Sequence, residues 1–145
     1  RDSGAIMVAA STSGIQTPGQ APTPARSRIF PSNYGTRIDC FAWGEDVVTT
    51  GDGSTGTGVA DYLTLPYAFG GTSAAGAIVA GVAACVQGIA RQHLGQFLSA
   101  RKMRGVLTDP LLGTPSANPA ADRIGQMPDL RLLAGRVTSG VALPY

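Results

Sequence analysis

Charged side chains are scarce in this chain. Asp, Glu, Lys and Arg make up 14% of its 145 residues, where about 25% is usual for soluble domains. Much of its surface must therefore be buried, within the chain or against a partner. Eleven basic and nine acidic residues leave a net charge of +2, too weak for a dedicated nucleic-acid binder. Long apolar runs are missing as well: the longest, residues 74–86, has 13 residues, where a membrane span needs about 20. It reads as a buried helix. With two cysteines, Cys40 and Cys85, and one histidine, His93, no four-ligand zinc site forms unless a carboxylate joins. The cysteines sit among apolar neighbours and read as two reduced core thiols, a disulfide being the alternative. The first residues, Arg1-Asp2-Ser3-Gly4, offer no initiator methionine, signal-peptide core or transit composition. The expectation is a chain that begins partway through a longer protein.

Hydrophobic residues, at 43%, suffice for one packed domain and exclude an intrinsically disordered chain. Gly 20 and Pro 10 together reach about 21%, below the roughly 25–30% of low-complexity sequence. No repeat or long linker divides residues 1–145. The small apolar run of residues 4–10 predicts a strand buried on both faces, central in a parallel sheet whose other strands are absent from this chain. Pro18, Pro22 and Pro24 make residues 12–27 a surface excursion, and Ser32-Asn33-Tyr34-Gly35 a turn follows. Residues 38–42 and 47–50 predict short strands. Four glycines in residues 51–58 predict a mobile loop, which lacks the Gly-Lys pair of a phosphate-binding loop.

Residues 73–91 are rich in Ala, Val and Ile without proline, which predicts a helix buried all round. Gly76, Gly81 and Gly88 each cost about 1 kcal/mol there relative to Ala, so tight backbone packing is expected at them. Ser99 can cap a second helix with Met103, Val106 and Leu107 inward and Arg101, Lys102 and Arg104 as a solvated face. Asp109-Pro110 ends it; residues 112–118 read as loop, and residues 127–133 as a last helical turn or an apolar tail. The elements together indicate an α/β fold.

The chemistry-bearing segment is Gly70-Gly71-Thr72-Ser73-Ala74-Ala75, where a glycine pair delivers a serine to the first turn of an apolar helix. Unpaired amides and a partial positive charge at a helix N-terminus would stabilise a negative oxygen beside Ser73, with the Ser73 N–H as donor. The competing reading makes Thr72 or Ser73 a simple N-cap. An α/β-hydrolase elbow fits poorly, because Ala75 stands where that motif has glycine.

Gly71-Thr72-Ser73-Ala74-Ala75 followed by Val79-Ala80-Gly81 resembles the nucleophile motif of the subtilisin-like serine proteases, the subtilases or S8 peptidases. Upstream segments agree in order. Residues 6–10 resemble the strand after that family's oxyanion-hole asparagine, and Phe30 with Ser32-Asn33-Tyr34-Gly35 resembles its following turn. Ile38-Asp39 and Ala42-Trp43-Gly44-Glu45-Asp46-Val47 resemble its stretch before the nucleophile, with Trp43 in place of the usual proline. Ala77 likewise stands where the nucleophile motif ends in proline. The likeness spans roughly residues 4–133.

It implies the C-terminal part of a three-layer α/β catalytic domain with a mainly parallel sheet. Ser73 would be the nucleophile, Ser73 and Thr72 would form part of the oxyanion hole, and Phe69 and Gly70 would border the substrate, a peptide or protein. The family's aspartate, histidine and oxyanion asparagine would come from an N-terminal portion, without which the chain is expected to be inactive and unstable. No cofactor is implied; calcium has only Asp46 and Asp52 as weak candidates. An extracytoplasmic location follows from the resemblance alone. His93 cannot replace the missing base: 20 residues along a helix put it about 30 Å from Ser73, whereas a base must come within about 3 Å. Asp39 has no histidine to orient and reads as structural. The alternatives are a pseudo-peptidase serving as a binding or scaffold module, and an unrelated α/β binding domain in which Ser73 is a cap.

Overall fold

The structure is a computed structural model that describes residues 2–15, 21–49 and 68–143. The expected loop at residues 51–58, Asp52, Pro18 and Thr50 lie outside the described residues.

Short, largely buried apolar stretches form the first two strands, β1 (Val8–Ser11) and β2 (Cys40–Trp43), which pair in parallel with Val8 opposite Cys40. Alternation sends Ala10, Cys40 and Ala42 to one face and Ala9 and Phe41 to the other. On the first face lies the long helix α1 (Gly71–Leu94), joined in one core by α2 (Ala100–Thr108) and α4 (Leu130–Thr138). The second face carries a smaller cluster in which Ile124, Ile38 and Met127 cover Ala9 and Phe41. Two strands absent from the sequence reading complete the sheet, β5 (Gly113–Pro115) and β6 (Gln126–Pro128), on either side of α3 (Pro119–Asp122). The order is β1-β2-β6-β5, with β5 antiparallel to β6 and the other pairs parallel. A separate two-stranded ribbon joins β3 (Val47–Val48) to β4 (Ala68–Phe69). The expected α/β class with a mostly parallel sheet is thus what the chain adopts.

Several expectations need correction. The first strand begins at Val8 rather than Gly4, because Gly4 adopts φ +77 and its N–H donates to Asp2 Oδ1 at 2.9 Å, so residues 2–5 turn instead of extending. β1 ends the strand order of this chain, and its outer edge is not bare, since residues 26–32 engage its C-terminal half. There the Ile29 N–H donates to the Ala10 carbonyl at 3.2 Å and the Thr12 N–H to the Ser27 carbonyl at 2.8 Å. Arg104 is no solvated charge. It clasps the Asp2 carboxylate with both terminal nitrogens and, with the Gly4 N–H, holds that carboxyl well below the usual range. Residues 127–133 divide into β6 and the start of α4, which Asp129 caps by accepting the Arg131 and Leu132 N–H groups. The expected cap on α2 does form, Ser99 Oγ accepting the Lys102 N–H, and Met103, Val106 and Leu107 are buried.

Helix α1 is not buried all round. Ala74, Ala75, Val79, Val86 and Ala90 face the core, while Ala77, Ala80, Gly81, Ala84, Cys85 and Gly88 are exposed. Gly76, Gly81 and Gly88 meet no neighbouring atom within 4 Å, so the close packing expected at them is absent among the described residues. At 24 residues and mean hydropathy 1.7 over its most apolar window, α1 has the length and composition of a membrane span. Its contacts with β1, β2 and α4 make it the central helix of this domain.

Both cysteines are free thiols, but only Cys40 is in the core; Cys85 is exposed on α1. Burial, and then the charge of Asp39, push the Cys40 thiol up to about 12. Thiolate is the reactive form. Alkylation of the dilute, isolated chain near neutral pH should therefore modify Cys85 and spare Cys40 until denaturant is added. Mass mapping of the alkylated peptides checks this, and native modification of Cys40 would contradict it.

Candidate active site

The start of α1 is built on three glycines. Beyond β2, the Gly44 N–H donates to the Ser11 carbonyl at 2.8 Å, and its own carbonyl accepts the Gly71 N–H at 2.6 Å. A Cβ on Gly44 would lie 2.5 Å from Ala10 Cβ, and one on Gly70 would lie 2.6 Å from the Gly44 carbonyl oxygen. Gly71 turns the chain into the helix at φ +75, a conformation that favours glycine. The pair preceding the serine thus has two separate tasks, close approach at Gly70 and handedness at Gly71. Gly44→Ala and Gly70→Ala should each destabilise by about 1–3 kcal/mol through overpacking. Thermal unfolding of the two variants, each combined with the N-terminal portion, measures this; an unchanged midpoint would refute the close contacts.

Gly70 is the N-cap and provides no side-chain hydrogen bond, so neither Thr72 nor Ser73 performs the capping role of the competing reading. Ser73 lies in the first turn, exposed, and its Oγ has no hydrogen-bond partner among the described residues. The N–H groups of Thr72 and Ser73 fall where an α-helix has no carbonyl four residues back, and the first turn holds no acidic side chain to oppose an anion.

Ser73, Thr72 and Gly71 form one side of a cavity of about 290 Å³, whose other side is Ala10, Ile29, Pro31, Ser32 and Asn33. Its one lining residue from β1 is Ala10, next to the last residue of that strand, and the carboxyl ends of strands are where open α/β sheets bind their ligands. Ser32 Oγ joins the far wall to the sheet by accepting the Ala10 N–H at 2.9 Å. Sequence reasoning identified residues 32–35 only as a turn; apart from that turn signal, nothing local announces that this wall meets Ser73.

The remaining predicted residues lie elsewhere. Phe69 is in β4, opposite Val47 and 46% exposed, directly before the Gly70 cap. Neither Phe69 nor Gly70 lines the cavity. His93 is exposed in the last turn of α1, far from Ser73. Asp39 accepts the Met7 N–H at 2.7 Å and pairs with Arg37, consistent with a structural carboxylate. Among the described residues, no ionisable side chain lines the cavity. Asp46 accepts the Ser13 hydroxyl at 2.5 Å, and Glu45 accepts the Ser13 N–H at 3.0 Å. No group of three or more His, Cys, Asp or Glu that could hold a metal ion occurs among the described residues.

No protein-family model matches this chain, and a search of the curated proteins finds no relative.

Proposed function

We propose that this chain is the nucleophile-bearing C-terminal part of a subtilisin-like serine endopeptidase, acting on peptide or protein substrates. The observation that carries the reading is Ser73: a hydroxyl without a partner among the described residues, in the uncapped first turn of α1, beside a cavity at the carboxyl end of the sheet. In this mechanism Ser73 Oγ attacks the scissile carbonyl and loses its proton to a base. The Ser73 N–H, with Thr72, stabilises the oxyanion. Its collapse breaks the peptide C–N bond as the protonated base gives its proton to the leaving amine. Water activated by the same base then hydrolyses the acyl-enzyme to a free acid and restores Ser73. Phe69 and Gly70 border the substrate on the other flank of the serine. Base, orienting carboxylate and oxyanion asparagine come from an N-terminal portion, since no described residue lining the cavity can take a proton at neutral pH. The uncharged outer face of α1 is where that portion packs. No cofactor enters the reaction, and such a protease works outside the cytoplasm.

The test is labelling with a phosphonofluoridate, which needs an activated hydroxyl, on this chain combined with its N-terminal portion. The adduct is expected on Ser73 by peptide mapping. A correctly folded complex that takes up no label would overturn the peptidase reading in favour of a binding or scaffold role.

A further inference from the structure

The far wall of the Ser73 cavity contains a second unengaged polar group. Ala10, Ile29 and Pro31 are apolar, and Ser32 Oγ is committed, accepting the Ala10 N–H and donating to the Asn33 carbonyl at 3.3 Å. The Asn33 carboxamide has no hydrogen-bond partner among the described residues and is exposed at the cavity. A carboxamide presents both a donor and an acceptor, the complement of a main-chain peptide group. We infer that residues 29–33 form a peptide subsite in which Asn33 pairs with the substrate main chain, and that Arg28 is the positioning residue for this wall. The inference rests on Ser73 as the nucleophile that acts on a peptide held there.

The role of Arg28 follows from its contacts. Its Nη1 donates to the Ser32 carbonyl at 3.0 Å, and its guanidinium lies 4.4 Å from the centre of the Tyr34 ring. It thereby clamps the turn on both sides of Asn33. A planar guanidinium can stack and donate at once; an ammonium cannot reproduce both contacts. Main-chain pairing ignores side-chain identity, so the subsite contributes affinity without sequence preference. The apolar remainder of the wall excludes charged side chains from the same space.

The experiment uses the chain with its N-terminal portion and Ser73→Ala, so that a bound peptide is not cleaved. Acetyl-tetraalanine amide is titrated while the Asn33 side-chain amide resonances are followed. These should shift on binding, and Asn33→Ala should weaken affinity about three- to tenfold, the loss of one hydrogen bond. Arg28→Ala should weaken it similarly, and Arg28→Lys should fail to restore it while the unfolding midpoint stays the same. Unshifted Asn33 resonances at millimolar peptide, or unchanged affinity in Asn33→Ala, overturns the subsite. Recovery of affinity in Arg28→Lys overturns the positioning role. Phosphonofluoridate labelling of the Ser73-bearing protein separates the two readings. Label on Ser73 with no effect of Asn33→Ala means the subsite is wrong. A shifted Asn33 with no label means that the nucleophile reading is wrong while the peptide contact stands.

Discussion

Ser73→Ala should abolish phosphonofluoridate labelling of the reconstituted protein, and omission of the N-terminal portion should slow labelling of the native sequence by about 10²–10⁴. A serine hydroxyl is a weak nucleophile at its own pKa, so orientation at a helix N-terminus is insufficient without a base. Among the described residues, neither the cavity lining nor the first turn of α1 contains one. Under the proposed mechanism the isolated chain keeps the Thr72 and Ser73 N–H groups as oxyanion donors, so a slow residual labelling is expected. His93→Ala should leave the rate unchanged, because the full length of α1 separates His93 from Ser73. Label persisting in Ser73→Ala, or lost in His93→Ala, would reassign the roles.

The second large effect is expected on the outer face of α1. From Gly71 to Ala90 the helix carries no charged residue, and Ala77, Ala80, Gly81, Ala84, Cys85 and Gly88 are exposed together. Small side chains permit a neighbouring backbone to approach closely, and a contiguous uncharged face invites association. The isolated chain should therefore associate with rising concentration and show no cooperative monomeric thermal transition. Adding the N-terminal portion should suppress this and protect Cys85 from alkylation, since that thiol lies within the face. Ala84→Glu puts an unpaired charge into the contact and should lower Ser73 labelling of the mixture by more than about tenfold. If Cys85 stays equally reactive in the mixture and Ala84→Glu labels normally, this face is not where the N-terminal portion packs.

How much of this could be read beforehand depended on the range of the interaction. Capping at Ser99 and the inward positions of α2 follow from hydrogen bonds and spacings within one or two helical turns, and both were readable. So was the long helix that starts at the Gly70-Gly71 pair, although its partner surfaces were not. The strands β5 and β6 escaped notice because three residues each, the last a proline, give no alternating pattern; only their mutual pairing and the contact of β6 with β2 make them a sheet. The one-sided burial of α1 was equally invisible, for a uniformly apolar sequence does not record which face meets the core. Arg104 looked like any surface charge until the chain brought Asp2 to it from 102 residues away.

By itself, the sequence indicated the class of the fold and a serine at a helix start, and it put His93 too far along the helix to serve as its base. The tertiary structure decided the rest of the site. Gly44 locks the glycine pair against the sheet, Gly70 takes the cap that Thr72 or Ser73 could have formed, and residues 29–33 become the wall facing the hydroxyl. The first and last of these are contacts between segments tens of residues apart. Chain connectivity and close packing set such contacts, and local preference does not encode them.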